Sequence, residues 1–118
     1  MSENPLKILF LASEVVPFAK TGGLADVAGA LPKALKDMGH DIRIGMPGYG
    51  FIDRQKFGIR EFLPELTVPM NGQTEKAPIL ETAIGPVPVY MVNNPKYYDR
   101  EGIYMYHDDA DRFIFFCR

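Results

Sequence analysis

The sequence predicts an α/β domain with a Rossmann-like, three-layer architecture, built on a mostly parallel sheet with an inserted β-hairpin. A continuous apolar run at residues 7–12, a helix-like run at 24–38 and a strand-like run at 41–47 follow one another in the order of a βαβ unit. A further strand-like run at residues 87–92 follows a segment that contains an Asn-Gly pair, the strongest hairpin-turn signal in the chain. With 118 residues, the chain is long enough for one domain with its own core or for part of a larger domain.

Composition excludes several classes of protein. Hydrophobic residues make up 47% and charged residues 24%, which is typical of a folded globular chain. The net charge of -2, without any block of like charges, disfavours a nucleic-acid surface. No apolar run approaches ~20 residues, so we expect no membrane span. A single cysteine cannot form an internal disulfide and favours a cytoplasmic location.

The first strand and helix are predicted from apolar patterns. Residues 7–12 carry one charge followed by apolar side chains, a pattern typical of strands buried on both faces. The helix is expected to begin at Gly22 or Gly23 and to end before Gly39, which is well placed as its C-terminal cap. Pro32 deletes one backbone hydrogen bond, so we expect one kinked helix. Its predicted apolar stripe consists of Leu24, Val27, Ala28, Leu31, Leu35 and Met38.

The remaining elements are predicted in less detail. In order they are a strand at Asp41–Pro47, a short helix or loop at 51–62, a hairpin at 66–82, a strand at Val87–Val92, a loop at 96–108 and a helix from Asp108 or Asp109 carrying Phe113–Phe116. The tyrosine-rich segment contains Tyr97, Tyr98, Tyr104 and Tyr106. It is expected at the sheet edge where open α/β sheets bind ligands. Because the chain stops at Arg118 inside an apolar helix, we interpret it as part of a longer protein.

Residues 20–23, the Lys-Thr-Gly-Gly corner, have the composition of an anion site. Gly22 and Gly23 allow close approach of backbone to a ligand, and a helix N-terminus with unblocked N–H groups attracts anions. The helix dipole contributes roughly 0.3–1 kcal/mol, whereas a charge-assisted hydrogen bond from Lys20 contributes about 1.5–3 kcal/mol. The lysine should therefore dominate phosphate affinity. From the local sequence alone, a tight turn with a solvated lysine stays open as an alternative.

Known phosphate-binding motifs do not fit this corner. A Walker A loop places its lysine after the glycines, and the dinucleotide fingerprint requires an acidic residue where Gly45-Met46-Pro47 end the second strand. A nicotinamide-dependent oxidoreductase is disfavoured for that reason. His40 is interpreted as structural and His107 as a surface residue, and no metal site or cofactor is expected.

The stretch SEVVPFAKTGGLADVAGALP at residues 13–32 resembles the start of bacterial glycogen synthases and plant starch synthases. Residues 98–102 and 111–113 are similar to later segments of that family, and the similarity is weaker at residues 51–86. The resemblance implies that residues 1–118 form an incomplete N-terminal domain of a two-domain GT-B glycosyltransferase, whose second Rossmann-like domain is absent. It also implies a retaining transfer of glucose from ADP-glucose to the non-reducing end of an α-1,4-glucan, without a metal or cofactor. A plant member would lie in the plastid, although no transit peptide precedes the strand.

The same resemblance assigns substrate-binding roles. Lys20 is implied to contact the ADP-glucose phosphates, and Gly22 and Gly23 to bring helix N–H groups to the sugar-phosphate side. Glu14 is expected to orient the loop or touch the sugar, and whether Asp26 binds substrate or is structural stays open. Tyr104 matches a family tyrosine near the sugar site. The main catalytic residues are expected beyond Arg118, so the isolated chain is expected to be inactive.

Two further expectations concern partners. An alternative function is a non-catalytic glucan-binding or interaction module that uses Tyr97, Tyr98, Tyr104 and Tyr106 as stacking surfaces. A sheet that ends after three central strands also leaves an unpaired edge, through which the chain could self-associate.

Overall fold

The computed structural model describes residues 4–64, 66–70, 72–98, 102–104 and 109–117. Its elements, in chain order, are β1 (Lys7–Leu11), α1 (Gly23–Asp37), β2 (Asp41–Pro47), β3 (Arg60–Leu63), β4 (Thr67–Met70), β5 (Gln73–Lys76), β6 (Ile79–Ile84), β7 (Val87–Val92), α2 (Pro95–Tyr98) and α3 (Asp109–Cys117). Within these ranges, none of the helices has the length and hydropathy needed to cross a bilayer.

The main sheet has five strands in the order β1-β2-β7-β6-β3. β1, β2 and β7 are parallel, which confirms the predicted βαβ unit, whereas β6 and β3 add to β7 in antiparallel orientation. β4 and β5 form a separate two-stranded hairpin. The result is an α/β fold with an inserted hairpin, as the sequence predicted; the predicted mostly parallel sheet is a mixed one, with three parallel strands and two strands added by antiparallel pairing.

The core lies on one face of this sheet. Alternate residues of the central strands are fully buried there, among them Ile42, Ile44 and Val89 at 0% exposure. The parallel register places Ile44 beside Val89, so their side chains share that face. α1 packs on it against β2 and β7. We call this side the helix-covered face and the other side the open face.

β1 differs from its prediction. Only alternate side chains of this edge strand contact the core, with Ile8 and Phe10 partly buried and Leu9 and Leu11 exposed at 62% and 58%. The expectation of a strand buried on both faces was therefore wrong. Leu9 and Leu11 point to the open face, which no helix of the described residues covers at β1.

The buried side of α1 was also predicted incorrectly. Ala25, Ala28 and Pro32 face the sheet. Small residues there let the helix backbone approach the strands closely. Of the predicted stripe, Ala28 is buried and Leu35 partly buried. The large members are exposed: Leu24, Val27, Leu31 and Met38.

The C-terminus of α1 was predicted correctly. Gly39 has a φ of 96°, in the left-handed region that favours glycine. Its N–H donates to the Lys36 carbonyl at 2.9 Å, and the N–H of His40 donates to the Leu35 carbonyl at 3.2 Å. These two bonds form a Schellman motif. His40 is structural, as expected, because its Nδ1 accepts the N–H of Leu6 at 3.0 Å.

The segment between β2 and β7 holds two departures from prediction. The hairpin was predicted to extend to residue 82, but it closes at Lys76, and Ile79–Ile84 instead joins the main sheet as β6. Residues 60–62 were expected in a short helix or loop but belong to β3. All four residues of β3 are exposed, so no alternation of apolar and polar side chains marked it as a strand. Asn71 of the turn lies outside the described residues, while Gly72 has a φ of 76°.

Arg112 ties α3 to the segments before it. Its side chain is 0% exposed and donates to the carbonyls of Tyr97 and Ile103, both at 2.6 Å, and to Asp109 Oδ1 at 2.8 Å. Tyr98 donates in return to the Arg112 carbonyl at 2.8 Å. α3 begins at Asp109, within the predicted choice of start; Asp108 lies outside the described residues.

Replacing this guanidinium should destabilise the chain. We expect Arg112→Leu to lower the free energy of unfolding by about 3 kcal/mol, because two carbonyls and the Asp109 carboxylate lose a buried donor. The estimate is at the low end of the range for broken buried pairs, since Asp109 keeps 32% of its side chain exposed. Urea denaturation measures the difference. The matched control is Arg43→Leu, whose half-exposed side chain should change stability by less than about 1 kcal/mol; equal losses would contradict the role of Arg112.

Candidate functional site

The candidate site is formed by the corner loop, residues 12–22, which connects β1 to α1 at the C-terminal edge of the parallel strands. The loop turns back on itself, because the N–H groups of Phe18 and Ala19 both donate to the Val15 carbonyl at 2.9 Å. These three side chains are buried, with exposures of 6% or less. The Val16–Pro17 peptide bond is cis. The loop is therefore anchored in the core, and its end at residues 20–22 is held in place.

A glycine in α1 allows the corner loop to lie against the helix. The N–H of Val16 donates to the Ala25 carbonyl at 3.1 Å. A Cβ at Gly29 would lie 3.0 Å from the Val16 carbonyl oxygen and 3.2 Å from its Cβ. Any larger residue at position 29 would push the loop away from the helix.

Glu14 is a buried carboxylate that binds the end of the corner loop. Its side chain is 2% exposed, and its carboxylate accepts the Thr21 hydroxyl at 2.6 Å, the Gly22 N–H at 3.0 Å and the Thr21 N–H at 3.4 Å. The expectation that Glu14 orients the loop is thus met by direct contacts.

The hydrogen bonds to Glu14 also fix its charge. Burial acts to raise the pKa of this carboxyl, but hydrogen bonds from Thr21, Tyr104 and Gly22 outweigh burial and lower the pKa below its ordinary value of 4.5. Glu14 is therefore an internal carboxylate at neutral pH.

Tyr104 and Tyr49 hold the start of the corner loop through Ser13. The Tyr104 hydroxyl and Ser13 Oγ lie 2.5 Å apart, and the Tyr49 hydroxyl donates to the Ser13 carbonyl at 2.6 Å. Burial raises the pKa of both phenols, so both hydroxyls keep their protons at neutral pH. Sequence reasoning missed Ser13 and Tyr49. The signal was the Pro-Gly-Tyr-Gly turn, which follows β2 at the same sheet edge.

Lys20 is paired with Asp26 in this structure. Its Nζ lies 2.9 Å from each carboxylate oxygen, and the two side chains are 53% and 56% exposed. The sequence predicted that Lys20 is available to a phosphate. In the structure, Asp26 of the first turn of α1 forms an ion pair with this lysine instead. An exposed pair of this kind contributes only about 0–1 kcal/mol. A phosphate can compete for the lysine at that cost.

The N-terminus of α1 presents open donors. Gly22 is the N-cap, without a side-chain cap, and its own N–H is bound to Glu14. In the described ranges, the N–H groups of Gly23 and Leu24 have no hydrogen-bond partner, whereas Ala25 N–H donates to the Gly22 carbonyl at 3.3 Å. The predicted unblocked N–H groups therefore lie at residues 23 and 24, and not at Gly22.

The space in front of the two glycines is empty. A Cβ built at either Gly22 or Gly23 would meet no atom within 4 Å. The φ of Gly22 is -160°, extended backbone that any residue adopts. Neither packing against neighbouring atoms nor the conformation of Gly22 therefore requires this glycine pair.

Two of the four tyrosines that the sequence suggested as a stacking surface are not available for stacking. Tyr97 and Tyr98 are buried, at 2% and 0% exposure, and their rings pack on Phe115. Tyr104 is partly buried, and Tyr106 lies outside the described residues, as does His107. In the described part of the chain, no cluster of three or more His, Cys, Asp or Glu side chains could hold a metal ion.

These features define a class of protein. An open α/β sheet whose first strand leads through a glycine-containing loop to a helix N-terminus is a Rossmann-like domain. Residues 7–118 match the starch synthase catalytic domain family, and the chain belongs to that family.

Named relatives agree with this assignment. The chain is 47% identical to a glycogen synthase of Geotalea uraniireducens, with 96% of the chain and 24% of the relative covered. It is 49% identical to a glycogen synthase of Desulforudis audaxviator, with 100% of the chain and 25% of the relative covered. The structure matches the catalytic domain of starch synthase IV from Arabidopsis thaliana bound to ADP and acarbose, with a TM-score of 0.89, 29% identity, and coverage of 98% of the chain and 24% of the relative. The chain thus spans about a quarter of the length of these relatives.

Glu14 predicts a pH-dependent contribution to stability. Because its pKa is lowered in the folded chain, its contribution is complete above the ordinary value of 4.5 and is lost as the pH falls through the lowered pKa. Glu14→Gln should remove this acid-sensitive part and cost about 1.5–3 kcal/mol near neutral pH. Denaturant unfolding from pH 3 to 7 tests this. Glu61→Gln, at an exposed position of β3, is the matched control and should leave the pH profile unchanged.

Proposed function

We propose that this chain forms the donor-side corner of a glycogen or starch synthase, a hexosyltransferase that moves glucose from ADP-glucose to the non-reducing end of an α-1,4-glucan with retention. The observation that carries the proposal is the pair of N–H groups without a partner at Gly23 and Leu24, which follow Lys20 in the chain, together with the open space that a Cβ at Gly22 or Gly23 would enter. The family and the names of the relatives support it, as does the ADP and acarbose bound to the Arabidopsis structure.

In this proposal the corner binds the phosphates of ADP-glucose. During transfer the bond between the glucose C1 and the β-phosphate oxygen breaks, and its electron pair stays on the departing ADP. A new bond forms between C1 and the 4-hydroxyl oxygen at the non-reducing end of the acceptor, and the proton of that hydroxyl is released. Lys20 and the N–H groups of the helix N-terminus then face growing negative charge, which fixed donors stabilise without reorganising. Gly22 and Gly23 leave room for the phosphate, and Glu14 keeps the loop in shape. Tyr104 contacts the corner loop at Ser13, and a contact between Tyr104 and the sugar remains a prediction.

Charge at the corner limits what this chain binds alone. Lys20 contributes one positive charge, whereas Glu14 and Asp26 contribute two carboxylates, so the corner is net negative. A diphosphate carries more negative charge still. Tight binding of ADP-glucose therefore requires cations outside these residues, in agreement with a site completed elsewhere in a longer protein.

The glycine pair can be tested without confusing binding with folding. Gly23→Ala should leave stability unchanged or raise it by up to about 1 kcal/mol, because alanine favours the helix and its Cβ meets no atom within 4 Å. The same change should weaken ADP-glucose binding by the full-length synthase that carries this sequence. Lys33→Ala, at an exposed position of the same helix, is the control and should leave ADP-glucose affinity unchanged. Unaltered ADP-glucose affinity in Gly23→Ala would contradict the access role.

The lysine can be tested in the same full-length protein. Lys20→Ala should lower donor affinity or rate by roughly 10- to 100-fold, the equivalent of one charge-assisted hydrogen bond. Lys33→Ala, at an exposed position of α1, is the matched control and should have no effect. An unchanged rate and affinity in Lys20→Ala would count against phosphate binding.

The role of Asp26 is resolved by combining the two substitutions. If Asp26 acts only through Lys20, Asp26→Asn alters donor affinity in the wild type but not in the Lys20→Ala background. If Asp26 binds substrate itself, its effect persists in the absence of the lysine. Donor affinity measured for all four proteins separates the two cases.

The isolated chain should differ from a complete synthase. Purified residues 1–118 should transfer no glucose and bind ADP-glucose weakly at best, because the corner is net negative. They should also associate through the outer edge of β1, which pairs only with β2 among the described strands. Radiolabelled glucose incorporation and light scattering measure these properties. Clear turnover would contradict the first expectation, and a sharp monomer at high concentration the second. A cytoplasmic location remains a prediction.

A further inference from the structure

Phe51 is an exposed aromatic side chain beside the corner loop. Among the described residues, the exposed aromatic side chains are Phe51 and Phe62, at 42% and 47%. A single exposed apolar residue is common on protein surfaces and does not by itself indicate a site. Phe51 is distinguished by how it is supported and by its position.

The ring of Phe51 rests on a fixed base. It lies parallel to the ring of Tyr49, with centroids 5.4 Å apart and an interplanar angle of 7°. Tyr49 is 2% exposed, its hydroxyl donates to the Ser13 carbonyl at 2.6 Å, and its ring packs edge-on against Tyr98 at 5.9 Å. The adjacent backbone is held too, because the Gly50 N–H donates to the Tyr98 carbonyl at 2.8 Å.

The segment that carries Phe51 is attached to the corner loop at two points. On one side Tyr49 binds Ser13, and on the other the ring of Phe57 packs edge-on against Phe18 at 4.9 Å. Ser13 and Phe18 both belong to the loop that leads to Lys20. Phe51 therefore lies at the strand-end edge that also holds the open N–H groups of α1.

We propose that Phe51 is a stacking platform for a glucose unit of the α-1,4-glucan acceptor. This inference rests on the proposed function and adds a subsite to it. One face of a glucose ring presents C–H groups with partial positive charge, which are attracted to the negative face of an aromatic ring. Stacking also removes apolar area from water. A ring already held against Tyr49 loses little freedom when a sugar binds, so more of the contact energy appears as affinity.

The platform replaces the one that the tyrosine-rich segment was expected to supply. Tyr97 and Tyr98 are used in the core and cannot offer a free face. Phe62 is exposed but lies on β3, the edge strand at the opposite side of the sheet from β1, and is tilted by 42° on the half-buried Tyr90. It is a matched control for exposure and ring chemistry.

The test measures glucan affinity in the full-length synthase that carries this sequence. Phe51→Leu keeps an apolar side chain on Tyr49 but removes the ring face. It should weaken maltoheptaose binding, measured calorimetrically without donor, by roughly 2- to 12-fold, the value of one aromatic stacking contact. Phe51→Trp should retain the affinity. Phe62→Leu should leave it unchanged, and ADP affinity should be the same in all variants.

The outcomes separate this subsite from the proposed function. Unchanged maltoheptaose affinity in Phe51→Leu, or an equal loss in Phe62→Leu, would overturn the platform even if the parent enzyme transfers glucose normally. A selective loss in Phe51→Leu supports the platform whether or not ADP-glucose proves to be the donor. If the parent transfers no glucose, the proposed function fails, while the binding measurement still decides the role of Phe51.

Discussion

The buried carboxylate of Glu14 is the interaction on which the corner depends. It occupies the N–H groups of Thr21 and Gly22 and the Thr21 hydroxyl, so these donors are not available to a ligand. The first open N–H groups are consequently those of Gly23 and Leu24, inside the helix proper. In the proposed site, this buried carboxylate, only 2% exposed, therefore determines which N–H groups an external anion can reach.

This arrangement requires close packing between the loop and α1. Ala25 and Ala28 let the helix approach the sheet, and Gly29 lets Val16 approach the helix. Together they bring the end of β1 and the start of α1 near enough for Glu14 to reach across the loop to Thr21. The small residues of the helix therefore serve the site as well as the core.

Much of the fold could be predicted from the sequence, because local rules governed it. The bounds of β2, the glycine beyond α1 and the presence of a hairpin all follow from short-range patterns. The remaining features of the fold depend on contacts between elements that are distant in sequence. The stripe from Leu24 to Met38 is apolar, but the sheet meets the alanine side of the helix, and no periodicity distinguishes the two. β3 is exposed on both sides and so shows no strand pattern.

The candidate site likewise combines residues that the sequence identifies with contacts that only the folded chain shows. Its glycines, lysine and glutamate stand out in the sequence, whereas the pairing of Lys20 with Asp26 depends on how a loop folds over a helix. Tyr97 and Tyr98 suggested a sugar surface by composition, but their rings fill the core under α3. Tyr49 and Ser13 entered the site only through contacts between segments 36 residues apart.

The uncovered apolar side chains of β1 and α1 have a thermodynamic consequence. Leu9, Leu11, Leu24 and Val27 stay largely in contact with water in the folded state, so unfolding exposes less new apolar surface than in a fully covered domain. The heat capacity change of unfolding is set by that newly exposed surface, at about 12–15 cal/mol/K per residue for ordinary domains. For this chain it should fall below that range, and the dependence of stability on urea should be correspondingly shallow.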